Sequence, residues 1–249
     1  MIELGLAELA QNFWDGAVRV NDGLEAAIVM TLPIVPARIS QLTLYKALAW
    51  LKQRGVVLPG LEQVQDRPLR ACLIAQGAPN NFILWDDSDA PADQLFSLAH
   101  EVAHFLLDYE QPREQALSHL GPQILEVFDG GRTPTIEERL HGLIAGVQVR
   151  PRQHFMERAT QGDILSRQVL EIENRADILA LELLAPQEQA LALVQTVIKG
   201  QPLYTQRLEA ATTLLISQYK LAPNVARAYV EQLLVLAGGS QSFQEWLKS

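Results

Sequence analysis

The chain has 249 residues, 48% of them hydrophobic, which suffices for one sizeable core or two small ones. Its net charge of -9 argues against a general affinity for nucleic acid, and its single cysteine, Cys72, excludes an internal disulfide. No run of 18 or more apolar residues occurs, and the opening MIELGLAELAQNFWDG lacks the basic start of a secretory signal, so a soluble, cytoplasmic protein with no membrane partner is expected.

Residues 1 to 55 read as helical pieces punctuated by Pro33 and Pro36. The clearest runs from Ile39 to Arg54, with Leu42, Leu44, Tyr45, Leu48 and Leu51 as its apolar set. Two short apolar runs, Leu69 to Gln76 and Asn81 to Ser88, flank Gly77-Ala78-Pro79-Asn80 and predict a hairpin or an adjacent strand pair. Cys72 lies inside the first run, which suits a small buried hydrophobe better than a nucleophile. Asp86-Asp87-Ser88-Asp89 then offers capping residues for a following helix.

That helix is predicted from Pro91 to Tyr109. Leu95, Leu98, Ala99, Val102, Phe105 and Leu106 form a core-facing stripe, while Asp93, Ser97, His100, His104 and Asp108 line the other face. The second stripe contains His100-Glu101-Val102-Ala103-His104. Histidines at i and i+4 share one helix face at a separation that suits a chelated zinc, and Glu101 stands where it can act on a water beside the metal. A plainer reading leaves both histidines on a solvated face with Glu101 in a surface pair. The small or apolar neighbours Ala99, Ala103, Phe105 and Leu106 suit a cleft better.

Beyond Tyr109 the chain is more polar, with turn signals at Gly121-Pro122, Asp129-Gly130-Gly131 and Pro151. Thr135 and Glu138 match a capping box, and Ile136, Leu140, Leu143, Ile144 and Val147 follow helical spacing, so Thr135 to Val147 is predicted helical. Residues 110 to 160 thus read as an inserted helical subdomain. A strong helix follows from Leu165 to Leu184, stopped by Ala185-Pro186, and then four helical segments starting near Gln187, Tyr204, Asn224 and Phe243. The expected class is α+β, mostly helical: a zincin-like metallopeptidase core with a small sheet and a helical insertion (residues 1–186), then a C-terminal helical bundle (187–249).

A catalytic zinc takes three protein ligands and keeps one position open, so two histidines need another donor. Candidates are His119, His141, His154 and the acids of EIENRADILALELLAP. In that helix Glu173 and Asp177 lie four apart among apolar residues, and a buried carboxylate pair must bind something. Glu171 and Glu182 point elsewhere and read as solvated. This makes Glu173 the third ligand and Asp177 an acceptor for the outer N–H of His100. The competing reading pairs Glu173 and Asp177 with Arg167 or Arg175 on the helix surface.

FSLAHEVAHFLLDY followed by ENRADILALELLAP resembles the ImmA/IrrE family of zinc metallopeptidases, which carry an AHExxH helix and a later acid-x-x-Ala-Asn/Asp helix ending in Leu-Leu-x-Pro. The preceding ILWDDSDAPADQLFSLAHE fits the family's approach to the metal helix. The resemblance covers roughly residues 40 to 109 and 165 to 236. His104 and Glu173 are 69 positions apart, a longer connection than family members usually have.

The resemblance implies a Zn2+ ion, or another divalent metal, held by His100, His104 and Glu173. Glu101 would serve as general base and then acid. Tyr109, His141 and His154 stay open as donors to the oxyanion. The resemblance also implies cleavage of a helix-turn-helix transcriptional repressor in a stress-response or mobile-element circuit. Leu214 to Leu234 is similar to the helix, turn and helix that often follow the peptidase core, but residues 201–249 hold four basic and three acidic groups, so bundle packing is favoured and no direct nucleic-acid partner is expected. The alternative is a metal-binding sensor or partner-recognition protein with a zincin fold and no proteolysis.

Overall fold

Residues 4–17, 23–58, 60–61, 64–144, 150–158 and 166–239 are described by the computed structural model. Four strands form one mixed sheet in the order β1-β3-β2-β4: β1 (Val35–Ile39), β2 (Leu69–Ala75), β3 (Asn81–Asp86) and β4 (Arg152–Glu157). β1 runs parallel to β3, whereas β2 pairs antiparallel with both β3 and β4.

Alternation along the strands sends side chains to two faces. Ala71, Leu73, Ile83 and Trp85 join the larger core, which faces α4 (Pro91–Phe105). Cys72, Ile74, Phe82 and Leu84 join the core beneath α3 (Leu44–Lys52), where burial pushes the Cys72 thiol far above its ordinary range. The hairpin of β2 and β3 is as expected from the sequence.

The N-terminal region differs from its prediction. Val35 to Ile39 is a strand, Leu42 follows the turn at Ser40 and Gln41, and the helix begins only at Leu44, with the Thr43 hydroxyl accepting from the Lys46 N–H at 3.3 Å. Pro36 is tolerated because β1 is an edge strand. Tyr45, a member of the expected apolar set, is 51% exposed.

The acids before α4 do not cap it. Asp86 is buried and accepts from the backbone N–H groups of Gln41 and Ser88 while pairing with Arg158, so it ties the turn after β1 to the end of β4. The helix starts instead on Ala90 with Pro91 in its first turn. After Phe105 the chain makes a π turn, Leu106–Glu110, and runs on into α5 (Gln111–Leu120) and the short α6 (Leu125–Phe128).

The insertion is not wholly helical, since it ends in β4, which extends the sheet. The capping box is present: the Thr135 N–H donates to Glu138 at 2.8 Å, and the Glu138 N–H donates to the Thr135 hydroxyl at 3.2 Å. It opens α7 (Ile136–Ile144), yet Ile136 and Leu140 are exposed, so these two members of the expected stripe do not enter a core. Residues 145–149 lie outside the described residues.

α8 (Arg167–Leu184) packs along α4. Ser166 caps it by accepting from the Val169 N–H, and the indole of Trp14, on α1 (Leu4–Gly16), donates to the Leu183 carbonyl. Its end reaches a second core made with α9 (Gln187–Ile198), α10 (Tyr204–Tyr219) and α11 (Pro223–Leu236) around Leu208, Ala211, Leu215, Val230 and Leu233. Glu182, read from the sequence as solvated, is buried and accepts from the Gln187 N–H that opens α9. The segment expected near Phe243 lies outside the described residues.

Candidate metal centre

α4 presents His100 and His104 one turn apart, and both are buried. Their Nε2 atoms stand 3.0 Å from each other. From α8, Glu173 Oε2 approaches them at 3.3 and 3.5 Å. Donors about 2.0–2.2 Å from a tetrahedral ion stand roughly 3.3 Å from one another, so these separations fit a chelated divalent metal.

The outer nitrogens are also held. His100 Nδ1 lies 2.9 Å from Asp177 Oδ1, the pairing read from the sequence. His104 Nδ1 lies 2.8 Å from Asp108 Oδ2, which is itself 2.7 Å from Arg152 Nη2 on β4. A carboxylate behind each imidazole selects the tautomer whose Nε2 lone pair is free for a metal. Asp108 was legible only as a member of the polar stripe, although its i+4 offset from His104 is the signal that finds it.

One member of the cluster comes from the insertion. The cross-strand partner of His154 is Leu73, so its side chain shares the face that meets α4. Its Nδ1 is 2.9 Å from Glu101 Oε2 and its Nε2 3.3 Å from Glu173 Oε1, while its ring centroid is 3.8 Å from that of His104. Among the described residues, His100, His104, His154 and Glu173 each offer a ligand atom, all within 4.8 Å of one another.

The other candidates lie elsewhere. His119 and His141 are exposed on α5 and α7. Tyr109 is buried against Phe105 and Phe128 with its hydroxyl 3.4 Å from Asp129, and so cannot serve an oxyanion here. Glu173 and Asp177 do not form a buried pair: their side chains are 29% and 50% exposed and border the cleft. Arg167 pairs with Glu171 instead.

Residues 62–126 match Peptidase_M78, the IrrE N-terminal-like domain. This family is one of metallopeptidases, and over this segment the resemblance drawn from the sequence is borne out. The IrrE N-terminal-like segment contains β2, β3 and α4 with His100, Glu101, His104 and Asp108, and it runs past Tyr109 into the insertion. It stops before His154, Glu173 and Asp177. Neither curated proteins nor solved structures yield a match.

The electrostatics follow from imidazoles and acids crowded together. Burial disfavours a charged His100, but Asp177 and Glu173 outweigh it and bring its pKa up to about 9. Burial likewise opposes charge on His154, yet Glu101 and Glu173 lift it to about 10. Burial alone would raise Glu173; the three histidines hold it well below the usual carboxylate range. Positive charge is favoured where these groups meet, and a divalent cation satisfies the same demand in competition with protons.

Proposed function

We propose that this protein is a zinc-dependent endopeptidase of the ImmA/IrrE type, acting in the cytoplasm on a helix-turn-helix repressor in a stress-response or mobile-element circuit. The observation that carries the reading is the fully buried Glu101 beside the converging atoms of His100, His104 and Glu173. In this reading those three residues are the ligands and Asp177 orients His100. When bound, zinc would polarise the scissile carbonyl and acidify water. Glu101 takes the proton of the attacking water and returns it to the leaving amine.

His154 donates from Nδ1 to Glu101, which holds the base against the donor cluster. It is also the residue best placed to stabilise a developing oxyanion, a role that Tyr109 and His141 are too remote to fill. A catalytic zinc leaves one position open, so His154 is assigned to the reaction and not to the metal. The same residue supports a second reading. As a fourth ligand with Glu101 behind it, His154 would close the site and leave a metal-binding sensor.

Glu101→Gln separates the two readings. With the co-encoded repressor as substrate, the variant should retain its metal and lose about 10²- to 10⁴-fold in cleavage rate. Equal loss of repressor with both proteins would sink the peptidase reading.

A further inference from the structure

β4 pairs with β2 along one edge, and no strand among the described residues pairs with the other. An open edge accepts an extended peptide through its backbone groups, and His154 in the middle of β4 puts such a peptide beside Glu101 and Glu173. Two residues back on the same face stands Arg152, a step of roughly 6.6 Å along the strand.

There the surface opens into a cavity of about 690 Å³. Among the described residues Arg132, Arg150 and Arg152 line it, and no Asp or Glu does. Glu138 and Glu126 compensate Arg132 and Asp108 compensates Arg152, which leaves Arg150 as the uncompensated positive charge at the cavity. Arg132 is anchored by two bonds to Glu138, at 2.6 and 2.8 Å, and Arg152 by its bond to Asp108. The buried Nε of Arg152 has no hydrogen-bond partner, and Arg150 is exposed with no ion pair among the described residues. Gln76 and Gln153 add amide groups, and Val127 an apolar wall. The exposed Arg150 guanidinium, beside the two amides and with Arg132 and Arg152 held in place by their own acids, suits a carboxylate, which it can bind with charge-assisted and bidentate hydrogen bonds.

We propose that this cavity is a side-chain subsite of the peptidase cleft and takes an Asp or Glu of the substrate, about two residues along the strand from the position opposite His154. The proposal rests on the peptidase reading and adds the side-chain preference at one position of its substrate.

Cleavage of a random peptide mixture, with the cut sites read by mass spectrometry, should show acid enriched at one position within three residues of the cut. Paired peptides bearing Glu, Gln or Lys there should then differ by about tenfold in kcat/KM for Glu over Gln. Arg150→Glu should abolish that preference and favour Lys. Absence of acid enrichment, or a preference unmoved by Arg150→Glu, overturns the proposal.

Fluorescence anisotropy with zinc-loaded Glu101→Gln protein reads binding alone. If wild type cuts nothing, the peptidase reading has failed, and the anisotropy ratio of Glu to Gln peptide still decides whether the cavity takes an acid. A parallel titration with inorganic phosphate covers the other source of anionic charge. Phosphate binding without any peptide preference would make this a free-anion site and overturn the subsite.

Discussion

Asp108 and Asp177 do similar work from different elements. Each accepts from the Nδ1–H of one imidazole, so each fixes a tautomer and raises the basicity of the nitrogen left for the metal. Replacing either by Asn keeps the shape and removes the charge. Asp108→Asn and Asp177→Asn are expected to weaken zinc binding about 10- to 100-fold, as read by competition with a chelating dye. The loss should be greater at Asp108, which is 19% exposed against 50% for Asp177, because a less hydrated carboxylate interacts more strongly. Unchanged affinity in both variants would show that the outer hydrogen bonds do not tune the site. At this scale His100, Glu101, His104, Glu173 and Asp177 were all legible, because their spacing is a property of single helices. His154 was legible only as one histidine among several, because nothing next to it in the chain marks its partners.

At the scale of elements, α4 and α8 declared themselves and two strands, β1 and β4, did not. α4 and α8 carry apolar residues at three- and four-residue intervals, a pattern that survives any tertiary context. Arg152-Gln153-His154-Phe155-Met156-Glu157 has four polar residues in six, so its strand character comes from pairing with β2 about eighty positions earlier. The capping box of α7 was legible as a local motif and carries a pH signature. The Arg132 guanidinium, followed by the Thr135 N–H, lowers the Glu138 pKa from an ordinary value near 4.5 to about 2. A depressed carboxylate stabilises the fold above its unfolded pKa, and that contribution is lost as pH falls from about 4.5 towards 2. Glu138→Gln should therefore lower Tm at pH 7 and cease to differ from wild type near pH 2, as calorimetry can measure. A difference independent of pH would mean that the ion pair with Arg132 does not hold α7.

For the whole molecule, α8 is the shared member of two cores. Leu179, Ala180 and Leu183 pack into the core of α4 and the sheet, while Leu181 and Ala185 belong to the C-terminal bundle. The Tyr229 hydroxyl on α11 reinforces the junction by donating to the Ala185 carbonyl at 3.0 Å. Leu215 is fully buried in the bundle core. Leu215→Ala should cost about 2–5 kcal/mol in urea denaturation and leave zinc affinity under native conditions unchanged. If zinc affinity fell with stability, the bundle would be part of the metal centre's support.

The sequence by itself determined the helices α4 and α8, the burial of Cys72, the hairpin of β2 and β3, and the convergence of His100, His104 and Glu173, with Glu101 and Asp177 beside them. These depend on periodicity within a single element, which short-range geometry enforces. Tertiary structure alone decided that the insertion returns as the fourth strand, that His154 meets Glu101 across it, and that three arginines distant in sequence or separated by a turn line one cavity. Those relations are set by sheet register and by the packing of α4 against α8, which bring together residues whose local sequence does not mark them as neighbours.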